Sequence, residues 1–382
     1  MNIYSKIIIC SSLLFALVGC NKENEITGSG ENEIDITNKY IHFDAGVATR
    51  ASLVEGTVLQ QNFNVLGYEY RGTWESNISM AWPSVFNSTP QLVTYSSGLY
   101  TYSPIKSWSG NTYSFMAYTP SNENITLFDG EGVKEGKPYI TYNLPLGNDP
   151  TKMVDLMTAA VYELNADNSP SVVLDMHHRL SAIDITARNF IDEYDHDNNP
   201  STDDKFVYVD ISQLKLTLLD VANTSAKIYL DSNEPSEYNV ADNPEAPTQL
   251  SYIYVKNSES NRGEWVLNNF TVTNNNDVDN FPDKTATQLI SYNDASLLLI
   301  PQTEYLHATL EITYSKKYKD GAQWITIENS TTSSTNAITF SRSLVEGRRY
   351  FIEITFTSDA ITTDVLAAEE WDMVRNVIHE FE

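Results

Sequence analysis

The sequence is short of sulfur, of positive charge and of catalytic signatures. Its 382 residues include two cysteines, Cys10 and Cys20, both close to the N-terminus. No disulfide framework can therefore staple the fold, and a structural zinc site lacks thiolate ligands. Lysine and arginine number 24 against 51 acids, a formal net charge of -27. A field of that sign repels phosphate backbones and anionic lipid surfaces, which excludes a nucleic-acid-binding role. The chain contains no G-x-S-x-G elbow, no P-loop and no G-x-G-x-x-G turn, and GEGVKEG at 130–136 has the wrong spacing. The six histidines, His42, His177, His178, His196, His307 and His379, form no pair at the spacing of a zinc-binding helix. No heptad, strong helical periodicity or fixed-length repeat stands out. Nothing names a reaction, and the chain reads as a non-enzyme that needs no cofactor and no metal.

Three weaker constellations also have plain structural roles. DHDNNPSTDD places Asp195, Asp197 and Asn199 at alternating positions as in a calcium loop, but Pro200 stands where glycine is needed and Phe206 where glutamate is needed. It reads as a solvated acidic loop. Trp74, Trp82 and Trp108 are candidate platforms for a sugar ring, although sandwich cores take up most such side chains. His177 and His178 read as an ordinary pair at the edge of a strand.

What the sequence does hold begins at its N-terminus. Lys6 precedes the apolar run IIICSSLLFALVG, too short for a bilayer-spanning helix of about 20 residues and of the length of an export signal. Leu17-Val18-Gly19-Cys20 resembles the bacterial lipobox, which implies cleavage after residue 19 and acylation of Cys20. Two or more acyl chains hold a protein to a membrane stably where one does not. NKENE after the cysteine is similar to the cluster that sends some Bacteroidetes lipoproteins to the outer face of the outer membrane. Residues 1–19 are thus expected to be a lipoprotein signal peptide. Residues 20–38, acidic and rich in Gly and Ser without an aromatic, read as a flexible tether.

From Tyr40 onward the composition favours strands and turns, with tyrosine (23) outnumbering phenylalanine (14) and tryptophan (6) together. NFNVLGYEY sets Phe63 and Val65 on one face, and NTYSFMAYTP sets Tyr113, Phe115 and Ala117 on one face. A second, more regular series begins near Val172. It puts Leu214, Leu216 and Leu218 together, then Leu310, Ile312 and Tyr314, then Tyr350, Ile352, Ile354 and Phe356. Alternation with polar partners marks sheets buried on one face. The economical reading is all-β, with two sandwich domains in tandem, an N-terminal one over 39–171 and a C-terminal one over 172–382.

FDAGVATRAS at 43–52 contains the first arginine of the chain, Arg50, just after an apolar, small-residue segment that reads as one strand. With it, the order of YSFMAYTP (113–120), VDLMTAA (154–160), HRLSAIDI (178–185), LLLIPQ (297–302) and EGRRYFIEITF (346–356), with Trp371 beyond, resembles the fimbrillin family, the type V pilus subunits of Bacteroidales, in its Mfa-like branch. The resemblance spans nearly the whole chain. It implies two transthyretin-like β-sandwich domains and a structural subunit of a cell-surface fimbria that supports adhesion, its target not named. It further implies a lipoprotein precursor in the outer membrane and a trypsin-like arginine protease that cuts after Arg50, leaving Ala51 as the new N-terminus. The first strand, up to residue 50, would be removed, and a strand from another fimbrial subunit would fill the groove by β-augmentation. Four or five large apolar side chains on such a strand contribute roughly 10 kcal/mol.

The donor segment is sought in ITTDVLAAEEWDMVRNVIHEFE, where Val365, Trp371, Val374, Ile378 and Phe381 offer groove fillers, although DVLAAEEWDMV also suits a short helix. The rival reading is a surface-exposed glycan-binding lipoprotein that keeps its lipid at Cys20.

Overall fold

β-Branched and aromatic residues alternating with polar ones favour the pleated, half-buried surface of a sheet, and sheets dominate. A computed structural model describes residues 40–47, 59, 61–80, 82–120, 125–128, 135–145, 153, 155–168, 171–231, 236–238, 249–256, 265–267, 271–272, 287–290, 297–340 and 343–370. Of these, 58 % lie in strands and 3 % in helix, so the expected all-β class is what the chain forms.

The first sheet has seven strands in the order β1 (Phe43–Val47), β9 (Val172–His178), β8 (Met157–Leu164), β5 (Thr112–Thr119), β2 (Phe63–Tyr70), β3 (Gln91–Ser96) and β4 (Leu99–Thr101). Every neighbouring pair is antiparallel except β1 with β9. A four-stranded sheet runs β13 (Glu237–Tyr238), β12 (Ser225–Tyr229), β7 (Tyr139–Asn143), β6 (Ile125–Leu127). A third runs β17 (Thr287–Ile290), β10 (Ser181–Phe190), β22 (Arg348–Thr357), β23 (Ile361–Glu370), with β18 (Leu297–Leu299) also on β10. The fourth runs β15 (Trp265–Leu267), β14 (Leu250–Lys256), β11 (Tyr208–Leu218), β19 (His307–Asp320), β20 (Gln323–Thr326), with β16 (Thr271–Val272) on β11 and β21 (Thr332–Thr339) on β19. A single turn of helix, α1 (Trp74–Asn77), is capped by the Thr73 hydroxyl, which accepts from the Ser76 amide.

Two buried clusters organise these sheets. The larger takes Leu214, Leu216 and Leu218, Leu310, Ile312 and Tyr314, and Tyr350, Ile352, Ile354 and Phe356, all three expected alternations, and adds residues from every sheet. The smaller lies on one face of the first sheet and holds Phe63, Val65, Tyr113, Phe115 and Ala117 together, again as alternation requires. Met116 and Tyr118, between them in sequence, belong to the larger cluster. The first sheet is therefore buried on both faces, and β5 is apolar on both sides for that reason.

The chain from Thr37 to Glu382 forms one compact unit by its contacts. The boundary expected at 171/172 falls at the start of β9, which lies in the first sheet between β1 and β8. β12, later in the chain, pairs with β7. Across the parallel pair β10–β22 the fully buried Asp184 carboxylate accepts from Arg349, and Arg188 Nε donates to Glu353 Oε2 at 2.8 Å. Paired and hydrogen-bonded in this way, the charges escape the cost of isolated burial.

Gly67, in the middle of β2, lets the segment after α1 lie flat on the sheet. Val85 N–H donates to its carbonyl at 3.1 Å, and a Cβ at this position would stand 2.8 Å from both Val85 Cβ and Phe86 Cε2. Neither neighbour has room to retreat from a packed core. Gly67→Ala is expected to destabilise the chain by about 1–3 kcal/mol in equilibrium denaturation. An unchanged midpoint would show that the contact is not tight.

Candidate functional site: the seam closed by the first strand

The sequence YIHFDAG alternates so strictly that, laid as a strand, it must present Ile41, Phe43 and Ala45 to one side and Tyr40, His42 and Asp44 to the other. In the structure the first three are buried and the last three are exposed. Phe43 is the centre. Its ring sits 5.4 Å from Phe115 and 6.2 Å from Phe63, both edge-on, 5.4 Å from Tyr102, and 6.3 Å from Phe86. Four aromatic neighbours at T-shaped or tilted angles add quadrupole attraction to the burial of the ring itself.

β1 stands at one end of the strand order and β4 at the other, and β1 joins the two ends. Alternate backbone groups of a strand point to opposite edges. On the β9 edge, His42 C=O accepts from Val172 N–H at 2.7 Å, and the parallel register runs from Phe43 opposite Val172 to Val47 opposite Met176. Asp44 Oδ2 accepts from the Ser171 hydroxyl at 2.7 Å on the same side. On the far edge, Ile41 N–H donates to Lys106 C=O at 2.9 Å, and Tyr40 makes an isolated antiparallel bridge with Ser107. Tyr102 Oη donates to Ile41 C=O at 2.9 Å while itself accepting from Lys106 N–H at 3.2 Å. Tyr100 Oη, on β4, reaches Ala45 C=O at 3.0 Å and also the carbonyl of Leu59. Leu59 N–H donates to Ala45 C=O at 3.1 Å. Among the described residues, the far edge of β1 is thus held by tyrosine hydroxyls and short backbone contacts, not by a neighbouring strand.

The arm that carries the far-edge contacts is fixed in turn. Glu69 on β2 accepts from the Ser109 hydroxyl at 2.6 Å and from Asn111 Nδ2 at 2.8 Å, and its carboxyl lies below the ordinary range, first through the Ser109 bond. Tyr113 Oη accepts from Ser109 N–H at 2.9 Å, and the Trp108 ring stands edge-on to Tyr113 at 5.1 Å. Tyr102 and Tyr100 are both shifted upward, chiefly by burial, and Tyr100 reaches about 12 with smaller contributions from Tyr95 and Asp44.

Other expectations find their places. Trp74 and Trp108 are core residues, and Trp74 Nε1 donates to the buried Asp231 Oδ2 at 2.9 Å, so only Trp82 of the three platforms is exposed. His177 and His178 end β9, and His178 Nδ1 pairs with Asp155 Oδ1 at 2.7 Å. In the acidic loop, Asp195, Asp197 and Asn199 side chains accept from the amides two residues on, at 3.4, 3.1 and 3.1 Å, as turns do. Among the described residues no group of three or more His, Cys, Asp or Glu is placed to hold a metal. Val365 lies in β23 opposite Ile352, half-buried against the larger core, so 361–370 is strand and the helical alternative fails for that stretch. Cys20, Arg50, Ala51, Trp371, Val374, Ile378 and Phe381 lie outside the described residues. Sequence reasoning missed Tyr100, Tyr102 and Leu59. The spacing Tyr-x-Tyr in LYTYS is a signal for one strand face, but it does not say what the hydroxyls grip.

The far edge has a pH signature. A tyrosine held at about 12 against an ordinary value near 10 favours the neutral hydroxyl in the folded state. Its contribution is complete below about pH 10 and is lost as pH rises through about 12. In amide hydrogen exchange, protection of residues 41–45 relative to β10 should fall across that window in the parent chain, and the fall should be smaller in Tyr100→Phe, where Tyr102 alone titrates. A step of equal size in the variant would remove Tyr100 from the clasp.

Comparison with known proteins places this arrangement in context. A solved fimbrial protein from Bacteroides vulgatus ATCC 8482 superposes with a TM-score of 0.58 at 20 % identity, over 87 % of this chain and 100 % of its own. The fimbrilin of Porphyromonas gingivalis W83 is 14 % identical over 86 % of this chain and 97 % of its own, with a TM-score of 0.33. No curated protein sequence matches. Among the described residues no helix is long and apolar enough to cross a membrane. A family model described as fimbrillin-like matches residues 49–371, beginning where β1 has just ended. With a match over that much of its length on an all-β fold, the chain belongs to the fimbrillin-like family.

Proposed function

We propose that this fimbrial, cell-surface chain is exported as a lipoprotein acylated at Cys20 and cut after Arg50 by a trypsin-like arginine protease. It then polymerises by exchanging β1 for a strand of another subunit. The family and its fimbrial relative support the pilus-subunit role and the surface location. One observation carries the finer reading: β1 ends at Val47, just before Arg50, and closes a seam whose two sides already have their partners. A cut after Arg50 leaves β1 joined to the body by hydrogen bonds and packing alone.

The division of the core supports the same reading. Ile41, Phe43 and Ala45 all belong to the smaller cluster, while the larger, which draws on every sheet, contains none of them. Loss of β1 then uncovers Phe63, Phe86 and Phe115 without dismantling the body. An apolar slot flanked by the unpaired groups of β9 is a template for another strand. Exchanging one strand for a similar one is nearly neutral at equilibrium, so the permanence of each junction comes from slow unfolding. As the stretch this chain would itself donate to a different subunit we keep the C-terminal tail, with Trp371, Val374, Ile378 and Phe381 as fillers and Val365, which pairs with Ile352 of β22, at its root.

Arg50→Ala should leave the chain folded, lipid-bearing and unpolymerised. Gel analysis of unheated surface material is expected to show a ladder of high-mass species for the parent and only the monomer for the variant. An undiminished ladder from Arg50→Ala would remove proteolytic priming at this residue.

A further inference from the structure

The seam is more selective than an apolar slot, because it reads its occupant in two different ways. On the side-chain face it offers three unlike positions. The first holds Ile41, fully buried; the second holds Phe43 within the rings of Phe63, Phe86, Tyr102 and Phe115; the third holds only the methyl of Ala45. At that third position Leu59 N–H and Tyr100 Oη both close on the Ala45 carbonyl, and Leu59 is itself buried. A larger side chain there would have to displace close-packed neighbours. On the backbone face the reading is blind to sequence: Tyr102 and Tyr100 bind the carbonyls of residues 41 and 45, and β9 binds the carbonyl of residue 42.

We infer that the seam accepts an extended segment running parallel to β9 that carries a large aliphatic, an aromatic and a small residue at three alternate positions. Tyr100 and Tyr102 hold its carbonyls whatever its side chains are. This rests on the strand-exchange reading and adds to it a statement of which strands qualify. The direction follows from the register of β1 on β9, in which Val172 N–H meets the carbonyl of His42 and the hydroxyls meet those of Ile41 and Ala45. The residues after β23 do not meet the rule. Trp371 is preceded two residues earlier by Glu369 and followed two later by Met373, and Phe381 is preceded two earlier by His379. The occupant of this seam is therefore a strand of another subunit that carries this pattern, and a second copy offering residues 371–382 is a poor fit.

The test uses the full chain with a site-specific protease sequence placed directly after Arg50, so that the cut does not depend on the native enzyme. After cutting, the N-terminal fragment sits in the seam, and its retention is followed by size-exclusion chromatography. Phe43→Ala should shorten retention about 100-fold, as expected for emptying an aromatic position in a core, and Ala45→Leu should shorten it as well. Tyr102→Phe, a conservative change, should shorten it about 5-fold, the effect of one lost hydrogen bond, and by the same factor whether residue 43 is Phe or Ala. Labelled peptides then report on partners. The sequence YIHFDAGV should displace the fragment, while the same residues in reverse order and a peptide of residues 365–382 should not. Retention of the Phe43→Ala and Ala45→Leu fragments as long as that of the parent fragment would overturn the side-chain rule. Displacement by the reversed or tail peptide as readily as by YIHFDAGV would overturn the direction or the partner rule while leaving strand exchange intact. A fragment that no peptide displaces, yet whose retention still follows the Phe43 and Ala45 substitutions, would uphold the selectivity and count against strand exchange.

Discussion

The seam depends on one residue being wrapped by others that come from distant parts of the chain. Phe43 is ringed by side chains from β2, from the segment after α1, from the arm after β4 and from β5. Each of these elements is fixed elsewhere by its own bonds, as Glu69 fixes the arm and Gly67 admits Phe86. The walls of the site thus come from the body, and β1 supplies its filling. The proposed strand exchange requires walls that keep their shape when the occupant changes.

The two clusters divide the labour. The larger core contains no residue of β1, and the smaller is where Ile41, Phe43 and Ala45 are buried, a division that suits the proposed strand exchange. The buried pairs Asp184–Arg349 and Arg188–Glu353 and the Trp74–Asp231 bond lie within the body, away from the seam. None of them needs to change when a strand leaves. The net charge of -27 suits a protein that must stay soluble at high local density.

The sequence revealed the parts of this fold that local pattern controls. The alternations at 214–218, 310–314 and 350–356 announced strands, and their buried faces are the ones expected. Alternation could not say that β5 is buried on both sides, because Met116 and Tyr118 look like chance apolar insertions until a second sheet covers them. Nor could it give the strand order. The parallel pairings of β1 with β9 and of β10 with β22 join segments more than a hundred residues apart, and no local signal encodes that choice. DVLAAEE carries good helix formers, yet pairing with β22 overrides that preference in 361–370. At the site, the segment before Arg50 was legible as one strand, and its burial of Ile41, Phe43 and Ala45 on one face follows from that. The roles of Tyr100 and Tyr102 were not legible, since a hydroxyl that binds a carbonyl leaves no trace in periodicity.

The removal of β1 from the working molecule is tested most directly by mass spectrometry of the N-terminal peptide of protein taken from the native cell surface. Ala51 as the first residue of the polymerised material is the expected result. An acylated Cys20 still joined to residues 40–47 in that material would contradict it.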